Sequence, residues 1–423
     1  MKQRTPGKDG AGFLIFLVWL VYATSYLGKV NYSSNITQII DFYQVTKAEA
    51  GLPPTFFFFA YGTGQVINGL LCKRYPIKMT IFTSMVLSAM LNLVIAVSSN
   101  FEIVKWVWMA NGFVLSLLWP TLIRLLSESL AKEELGKSSV VIGTTVASGT
   151  LAIYALGALY AYLGHFKLSF YTAAFADLLV AFIWLFSYKK ATKMALTQKM
   201  REDSSAEQEA ATEINRTSKT MPKAILLSTA FLCLFAVVTN LVKDGLITWV
   251  PSVLKESYSL PDTLAILLTL VIPVIAIFGN AFALALHKKI PDYITLACVC
   301  FAAISGILGV ILWSLGAKNI AAMLVGLLLT SLLASSLNSM ITAIYPMFMR
   351  SQLNSGMFAG ILNGFCYLGS TISSYGLGVV ADRHGWSGVF WLLLGLCLFA
   401  CSLWLIYIVL KSAITGKAKH PVN

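Results

Sequence analysis

Long runs of apolar positions recur along the whole 423-residue chain and are separated by short polar segments. Each run is roughly 20 residues long, the length that an α-helix needs to cross the hydrocarbon core of a bilayer. Because lipid offers no partner to backbone N–H and C=O groups, such segments must be helical. Twelve runs are present, and they start near residues 12, 49, 77, 102, 138, 168, 224, 261, 292, 319, 353 and 386. The pattern predicts an all-α integral membrane protein with twelve transmembrane helices.

Basic residues are distributed unequally between the two sets of loops. With the N-terminus placed in the cytoplasm, most of the 31 Lys and Arg residues fall on the cytoplasmic side. The residues predicted on the outer side are Lys47, Lys105, Lys167, Lys255, Lys318 and Arg383. This bias predicts a multi-pass protein of the cytoplasmic (plasma) membrane with both termini in the cytoplasm. The net charge of +13 then reflects topology and contact with membrane lipid, and not binding to nucleic acid.

One long polar stretch, residues 189–222, separates six apolar runs from six others. It is rich in Lys, Glu, Ser, Thr and Gln, a composition typical of a cytosolic linker that is partly helical or disordered. The sequence therefore predicts an N-terminal six-helix half (1–188), the linker (189–222) and a C-terminal six-helix half (223–423). Two pseudo-symmetric halves are typical of transporters that work by alternating access.

Two lysines lie deep within apolar runs, Lys29 in the first span and Lys243 in the seventh. A cation inside the bilayer costs roughly 3 kcal/mol or more, so it usually faces a polar cavity and marks a substrate path. The two lysines occupy matching positions when one span is aligned on the other. This predicts a pseudo-twofold site for an anion, although each lysine stem is also long enough to reach toward the membrane surface.

Short motifs occur along the chain in an order that resembles the major facilitator superfamily. Within it, they resemble the organic phosphate:phosphate antiporter family, which includes the glycerol-3-phosphate and hexose-6-phosphate transporters. The motifs are YLGKVN at 26–31, FAYG at 59–62, NG at 111–112, WP at 119–120 with Arg124, KDGLITWVP at 243–251, YLG at 367–369 and DRHGW at 382–386. The resemblance covers nearly the whole chain and implies the two-half, twelve-helix fold of the superfamily.

The resemblance also implies roles for particular residues. In the antiporter family, one arginine in span one and one in span seven clamp the substrate phosphate, and these positions correspond to Lys29 and Lys243. Lysine keeps the charge of arginine but lacks its planar, bidentate fork. Gln65 replaces a family lysine in span two, and Val146 replaces a family histidine in span five.

Polar and aromatic residues inside the spans complete the predicted substrate site. Small-molecule cavities are mostly apolar with a few placed polar groups, which suits aromatic residues that carry a hydroxyl. Packing between helices is the alternative role for such rings. Besides the two lysines, we expect the cavity to be lined by Tyr26, Tyr61, Gln65, Tyr367, Asn31 and Asn363.

Four charged residues are candidates for coupling or gating. Asp244 directly follows Lys243, and Asp177 lies near the middle of span six. Acids within spans commonly mark proton or ion sites. The alternative for Asp177 is a neutral, hydrogen-bonded carboxyl group, because burial disfavours the charged form. Arg124 and Glu128, at the inner end of span four, form either an inner gate or a structural ion pair.

Enzymatic and metal chemistry has no counterpart in the sequence. No Cys/His cluster has the spacing of metal ligands, so we expect no metal, no cofactor and no enzyme activity. The seven cysteines lie in or at the ends of spans, and no structural disulfide is expected. The family resemblance implies a monomer.

The sequence as a whole predicts a secondary active transporter that binds a small organic anion between its halves. The resemblance implies a phosphorylated metabolite that is exchanged for phosphate by alternating access. A proton- or sodium-coupled symporter of carboxylates, such as sugar acids, is the first alternative, and the absence of both arginines favours it. A transport-inactive membrane sensor of such an anion is the second.

Overall fold

The computed structural model describes residues 9–71, 74–131, 134, 138, 141–206, 223–348 and 355–417. Almost all of these residues are helical, as the apolar runs predict. The helices of the first half are α1 (Asp9–Ser34), α2 (Ile36–Tyr43), α3 (Lys47–Leu71), α4 (Ile77–Val97), α5 (Phe101–Leu115), α6 (Leu118–Ser129), α7 (Thr145–Tyr162) and α8 (Leu168–Ala206).

The second half continues in the same way. Its helices are α9 (Lys223–Tyr258), α10 (Asp262–Thr269), α11 (Val271–Ala276), α12 (Gly279–Lys289), α13 (Tyr293–Gly316), α14 (Ile320–Ser339), a π-helical turn (Met340–Ile344), α15 (Tyr345–Phe348) and α16 (Ser355–Lys417).

Short polar side chains fix several helix starts. Asn100 accepts a hydrogen bond from Glu102 N at the start of α5, and Asp292 accepts one from Thr295 N at the start of α13. Asn319 accepts one from Ala322 N at the start of α14. Each bond satisfies a backbone donor that the first helical turn leaves unpaired. These residues therefore set where the spans leave the connecting loops.

The predicted spans correspond closely to the observed helices. Within the described residues, nine helices are long and apolar enough to cross a membrane, and the bent pair Asp262–Ala276 and Gly279–Lys289 adds a tenth. Helix α3 is also 25 residues long but is less apolar, with two prolines inside it. The span-forming part of α16, Gly360–Ala413, is 54 residues long, about 80 Å if straight, against a core of about 30 Å. Gly385, with φ 65° and ψ −175°, breaks α16 into the last two spans.

Span eight differs from the single helix that the sequence predicts. Helix α10 ends at Thr269, and Pro273 follows in α11. Proline has no N–H to donate to the carbonyl four residues earlier, which interrupts the helix there. Hydrogen bonds that span three residues, from Ile277 N to Val274 O and from Phe278 N to Ile275 O, precede α12. The axis of α12 is bent by 45° from that of the segment before it. Span eight is therefore a broken span.

The predicted boundary at residue 188 lies inside a helix. Helix α8 runs without interruption for 39 residues to Ala206, so the first part of the predicted linker is helical. Residues 207–222 lie outside the described residues. The division of the chain at 188 and 223 therefore stays a prediction.

The two groups of helices meet most closely through α3 and α16, and also through α7 and α10. Glycines allow the first contact: a β-carbon on Gly51 would lie 2.3 Å from Ser374 O, and one on Gly378 would lie 2.6 Å from Lys47 O. No side chain fits at either position. The halves are thus in backbone contact at the end of the bundle where Lys47 lies, which we call the closed end.

Candidate substrate site between the two halves

Lys29 of α1 lies against aromatic rings from both halves. Its Nζ is 3.8 Å from the centroid of the Tyr61 ring, 4.8 Å from Tyr26, 5.7 Å from Tyr367 and 6.0 Å from Phe57. The faces of such rings attract an ammonium through their quadrupole. Of the ion pairs in the described part of the chain, none involves Lys29. The group of Lys29, Tyr26, Phe57, Tyr61 and Tyr367 is called the ring cage below.

Helical spacing and one glycine assemble the ring cage. Tyr26 lies three residues before Lys29, and Phe57 lies four residues before Tyr61, so each pair shares one helix face. Tyr367 comes from α16, and its ring centroid is 5.1 Å from that of Tyr61. This approach requires Gly62, where a β-carbon would lie 2.9 Å from Tyr367 Cβ. The ring cage therefore depends on how the halves are placed relative to each other.

Lys243 of α9 has a very different environment. Its Nζ lies 3.0 Å from Asp244 Oδ1, and Ser370 Oγ of α16 donates a hydrogen bond to Asp244 Oδ2. Neighbouring residues on an ideal helix point about 100° apart, but the long lysine stem reaches back to the carboxylate. Asp244 also attracts the Lys29 ammonium from farther away. The three charges thus belong to one electrostatic group with one positive charge in excess.

Two predicted lining residues meet across the halves. Asn363 Nδ2 of α16 donates a hydrogen bond to Gln65 Oε1 of α3, at 3.1 Å. Both lie one helical turn from a ring-cage residue, Gln65 from Tyr61 and Asn363 from Tyr367. The amide pair therefore forms the next layer beyond the ring cage, on the side away from the closed end.

Asn31 and Asp177 lie apart from this group, inside the first half. Asn31 is fully buried, and its Nδ2 donates to Asn92 Oδ1 at 2.8 Å. Asp177 of α8 is also fully buried, beside Gly28. Asn31 lies on α1 two residues after Lys29, and Asp177 lies beside Gly28, but both belong to the packing between α1, α4 and α8.

Arg124 and Glu128 form an ion pair within the first half. Arg124 Nε lies 2.7 Å from Glu128 Oε1, and Arg124 Nη1 donates to Tyr75 O at 3.2 Å. The ion pair lies within α6, and the hydrogen bond to Tyr75 connects α6 to the residues that precede α4. This geometry agrees with the structural alternative for the pair, and its role as a gate stays a prediction.

The site contains residues that the sequence did not single out. Asn240 Nδ2 donates to Asn338 Oδ1 at 3.0 Å, and Cys366 Sγ lies 3.5 Å from the same oxygen. Cys366 is close enough to Lys243 and Asp244 to interact electrostatically with both charges. The sequence could have indicated these residues, because each asparagine is an amide inside an apolar span and Asn240 lies one turn before Lys243. Asn338 also lies two residues before the π-helical turn, a feature frequent at functional sites.

Ion pairs join the halves at the closed end. Lys47 Nζ lies 3.2 Å from Glu256 Oε2 and 3.8 Å from Asp382 Oδ1. Asp382 also accepts hydrogen bonds from the backbone N–H groups of Lys47 and Ala48, where its charge meets the positive end of the α3 dipole. Trp386 Nε1 donates to Glu256 at 3.0 Å. Lys47, Glu256, Asp382 and Trp386 form what we call the latch.

A known family matches the sequence over most of its length. The sequence model of the Major Facilitator Superfamily matches residues 18–355, well over half of the chain. The chain belongs to the major facilitator superfamily. This membership agrees with the helical fold described above and confirms the predicted fold class. By family the protein is a multi-pass membrane transporter and not an enzyme.

Solved transporter structures share this superfamily fold. A bacterial homolog of the human lysosomal transporter Spinster, in an inward-facing and occupied conformation, superposes with a TM-score of 0.69 at 11% identity, over 98% of this chain and 97% of that one. The xylose transporter XylE from E. coli, in a partially occluded inward-open conformation, gives a TM-score of 0.71 at 11% identity, over 95% and 98% of the two chains. At this identity the likeness concerns the fold alone.

One curated relative of this superfamily member matches over a shorter stretch. The membrane sensor protein UhpC of Escherichia coli (strain K12) is 20% identical over 123 residues. The aligned stretch spans 29% of this chain and 28% of that protein.

Proposed function

We propose that this superfamily member carries a small organic anion across the cytoplasmic membrane, through the space between its halves. The position of Lys29 supports this most strongly. Its ammonium lies among rings from both halves, with no carboxylate within 4 Å among the described residues. Such a cation keeps its attraction for an incoming anion, whereas a paired lysine has already lost part of it.

The anion bridges the two lysines in this proposal. It binds Lys29 first, then competes with Asp244 for Lys243, and so connects α1 of one half to α9 of the other. A ligand shifts a conformational equilibrium only through its different affinities for the two states. An anion that contacts both halves binds more tightly when the halves are closed around it than when they are apart. This difference in affinity supports transport by rocking of the halves.

The orientation follows from the distribution of basic residues. With both termini in the cytoplasm, Lys47 and the latch face the outside. The structure then represents a state that is closed to the outside, and the substrate would exchange with the cytoplasm from it.

Two substrate classes fit the site. The family resemblance favours a phosphorylated metabolite that is exchanged for phosphate. The Lys243–Asp244 pair favours a singly charged carboxylate that moves with a cation, because only one positive charge in the group is uncompensated. The first class needs two available cations for a doubly charged phosphate, and the second needs one.

Exchange in proteoliposomes tests the proposal. Vesicles that contain purified protein are loaded with inorganic phosphate, and uptake of labelled phosphate is measured. We expect exchange by the wild type, loss of exchange in Lys29→Ala, and normal exchange in Lys193→Ala, which removes an exposed lysine from α8. If the wild type does not exchange phosphate, labelled gluconate is tested with an imposed proton gradient. A folded wild type that moves neither probe contradicts the proposal.

Sensing is a second candidate function, and the match to a membrane sensor protein favours it. A sensor would use the same lysines to bind an anion without moving it. Thermal stabilisation by phosphate or gluconate that is lost in Lys29→Ala, together with no flux of the same probe, would support sensing. Flux of the probe that stabilises the protein excludes a transport-inactive sensor.

A further inference from the structure

A second polar site lies inside the first half, around Asp177 of α8. The carboxylate is fully buried, and neither of its oxygens has a hydrogen-bond partner of good geometry among the described residues. Ser88 Oγ, beside it on α4, is likewise without a partner in this part of the chain. Buried polar groups are nearly always satisfied, so each exception in a folded protein needs an explanation.

The unpartnered atoms of Asp177 and Ser88 lie around one small space, together with Asn92 Nδ2. Gly28 of α1 has no side chain, and the place of its missing β-carbon is 3.1 Å from Asp177 Oδ2, 3.3 Å from Ser88 Oγ and 3.0 Å from Asn92 Nδ2. Helices α4 and α8 therefore present three polar atoms to one small space against Gly28 of α1. A side chain at residue 28 would fill it.

The hydrogen-bond network fixes which atom Asn92 presents to this space. Tyr32 N donates to Asn31 Oδ1, which leaves Asn31 Nδ2 to donate to Asn92 Oδ1. Asn92 must therefore direct its NH₂ group toward Ser88 O and toward the space. Hard metal cations such as Mg²⁺ and Ca²⁺ take oxygen ligands on all sides, and an amide N–H is the wrong group for them. A donor and two acceptors suit a proton and its hydrogen bonds instead.

In the part of the chain that the structure describes, no charged group compensates an ionised Asp177. Gly28 faces it from α1, and Ser88 and Asn92 face it from α4. Among the described residues, no titratable or charged side chain of these helices, or of α6 and α7, acts on it. An isolated buried carboxylate is strongly unfavourable, and it takes up a proton instead. The protonated group then has an O–H to donate to Ser88 Oγ.

We propose that Asp177 is a proton-binding site, and that its proton is taken up and released during the transport cycle. The link to the substrate site is covalent, because Gly28 directly precedes Lys29. Asn111 Nδ2 also donates a hydrogen bond to Gly28 O, at 2.8 Å. Movement of α1 with an anion on Lys29 changes the space around Asp177 and alters its hold on the proton. The proton site is independent of the proposed substrate, whereas its coupling to flux rests on the proposed function.

Infrared spectroscopy of the purified protein in lipid tests the proton site without any substrate. We expect a protonated-carboxyl C=O band at neutral pH that is lost in Asp177→Asn and kept in Asp244→Asn, the matched control. We also expect the band to shift in D₂O, because a transported proton must exchange with water. A missing band means that Asp177 is ionised. A band that stays unshifted after long incubation in D₂O means a locked structural proton. Either result overturns the proposal.

Flux measurements test the coupling. With whichever of phosphate or gluconate the wild type moves, we expect Asp177→Asn to retain exchange at zero proton gradient and to lose accumulation driven by a gradient. Asparagine matches the size and neutrality of the protonated acid, so a purely structural role predicts no change in either assay. Gradient-driven accumulation at the wild-type level in Asp177→Asn overturns the coupling. If neither probe moves, the proposed function fails, while the infrared result still decides the proton site.

Discussion

Lys29 and Lys243 occupy matching positions in the two halves, yet their surroundings differ in kind. Lys29 is held by the faces of aromatic rings, which attract its charge without cancelling it. Lys243 is held by a carboxylate at 3.0 Å, which is itself fixed by Ser370. Pseudo-symmetry in sequence therefore does not produce electrostatic symmetry. In the first half, Lys29 has no carboxylate partner among the described residues. In the second half, an anion would have to displace Asp244 from Lys243.

The largest expected effect separates the two lysines by stability. Lys243→Ala leaves Asp244, whose side chain is 13% exposed, without its partner. Removing one member of a fully buried ion pair typically costs about 3–5 kcal/mol, which sets the upper limit for this partly buried pair. We expect a markedly lower melting temperature for Lys243→Ala, and recovery in the double variant Lys243→Ala/Asp244→Asn. Lys29→Ala should melt close to the wild type. Equal losses of stability for the two single variants would show that the environments are not different.

The second effect concerns binding. A hydrogen bond between an ammonium and an anion contributes about 1.5–3 kcal/mol, so we expect Lys29→Ala to weaken binding of the transported probe by roughly 10- to 150-fold. Lys29→Arg keeps the charge and should retain most of the affinity. Titration calorimetry on purified protein measures both. Unchanged affinity in Lys29→Ala would place the anion elsewhere.

A third effect has the opposite sign. Asp244→Asn keeps the hydrogen bond with Ser370 but removes the charge that competes for Lys243. We expect anion affinity to rise about tenfold, equivalent to about 1.4 kcal/mol. The matched control Glu128→Gln removes a carboxylate from the ion pair in α6 and should leave affinity unchanged. An affinity loss in Asp244→Asn would show that this carboxylate assists binding instead of competing with it.

The smallest effect tests the ring cage. Tyr61→Leu removes the ring nearest to Lys29, and a cation–π contact contributes about 0.5–2 kcal/mol. We expect anion affinity to change by roughly 2- to 30-fold. Tyr61→Phe keeps the ring and loses only the hydroxyl that lies 3.5 Å from the Tyr22 hydroxyl, so it should behave nearly as the wild type. If Tyr61→Phe and Tyr61→Leu have equal effects, the hydroxyl and not the ring face is what matters.

The spans were predictable because each depends on local composition. The break at Gly385 also lies where the sequence places the start of the last span. The break within span eight was within reach too, because Pro273 alone indicates it. The extension of α8 to Ala206 was less accessible, since a charged segment of this kind forms a helix or a disordered linker with similar ease.

The site was predictable only in part, and for a geometric reason. Depth in an apolar span is enough to single out Lys29, Lys243 and Asp244. The contact of Tyr61 with Tyr367 depends on the placement of two halves that are far apart in sequence, and no local pattern contains that information. Asn31 has the same local character as Asn363, but a partner on α4 places it in the packing of the first half. Polarity within a span indicates a partner, and only the fold shows which one.

The ion pairs of the latch are sensitive to the salt concentration of the surrounding solution. Its side chains are partly accessible, at 22% for Lys47, 41% for Glu256 and 26% for Asp382. Mobile ions screen such pairs, with a Debye length of about 8 Å at physiological ionic strength and about 30 Å in dilute media. The ionic strength of the compartment that bathes the closed end therefore sets how strongly these ion pairs hold the two halves together there.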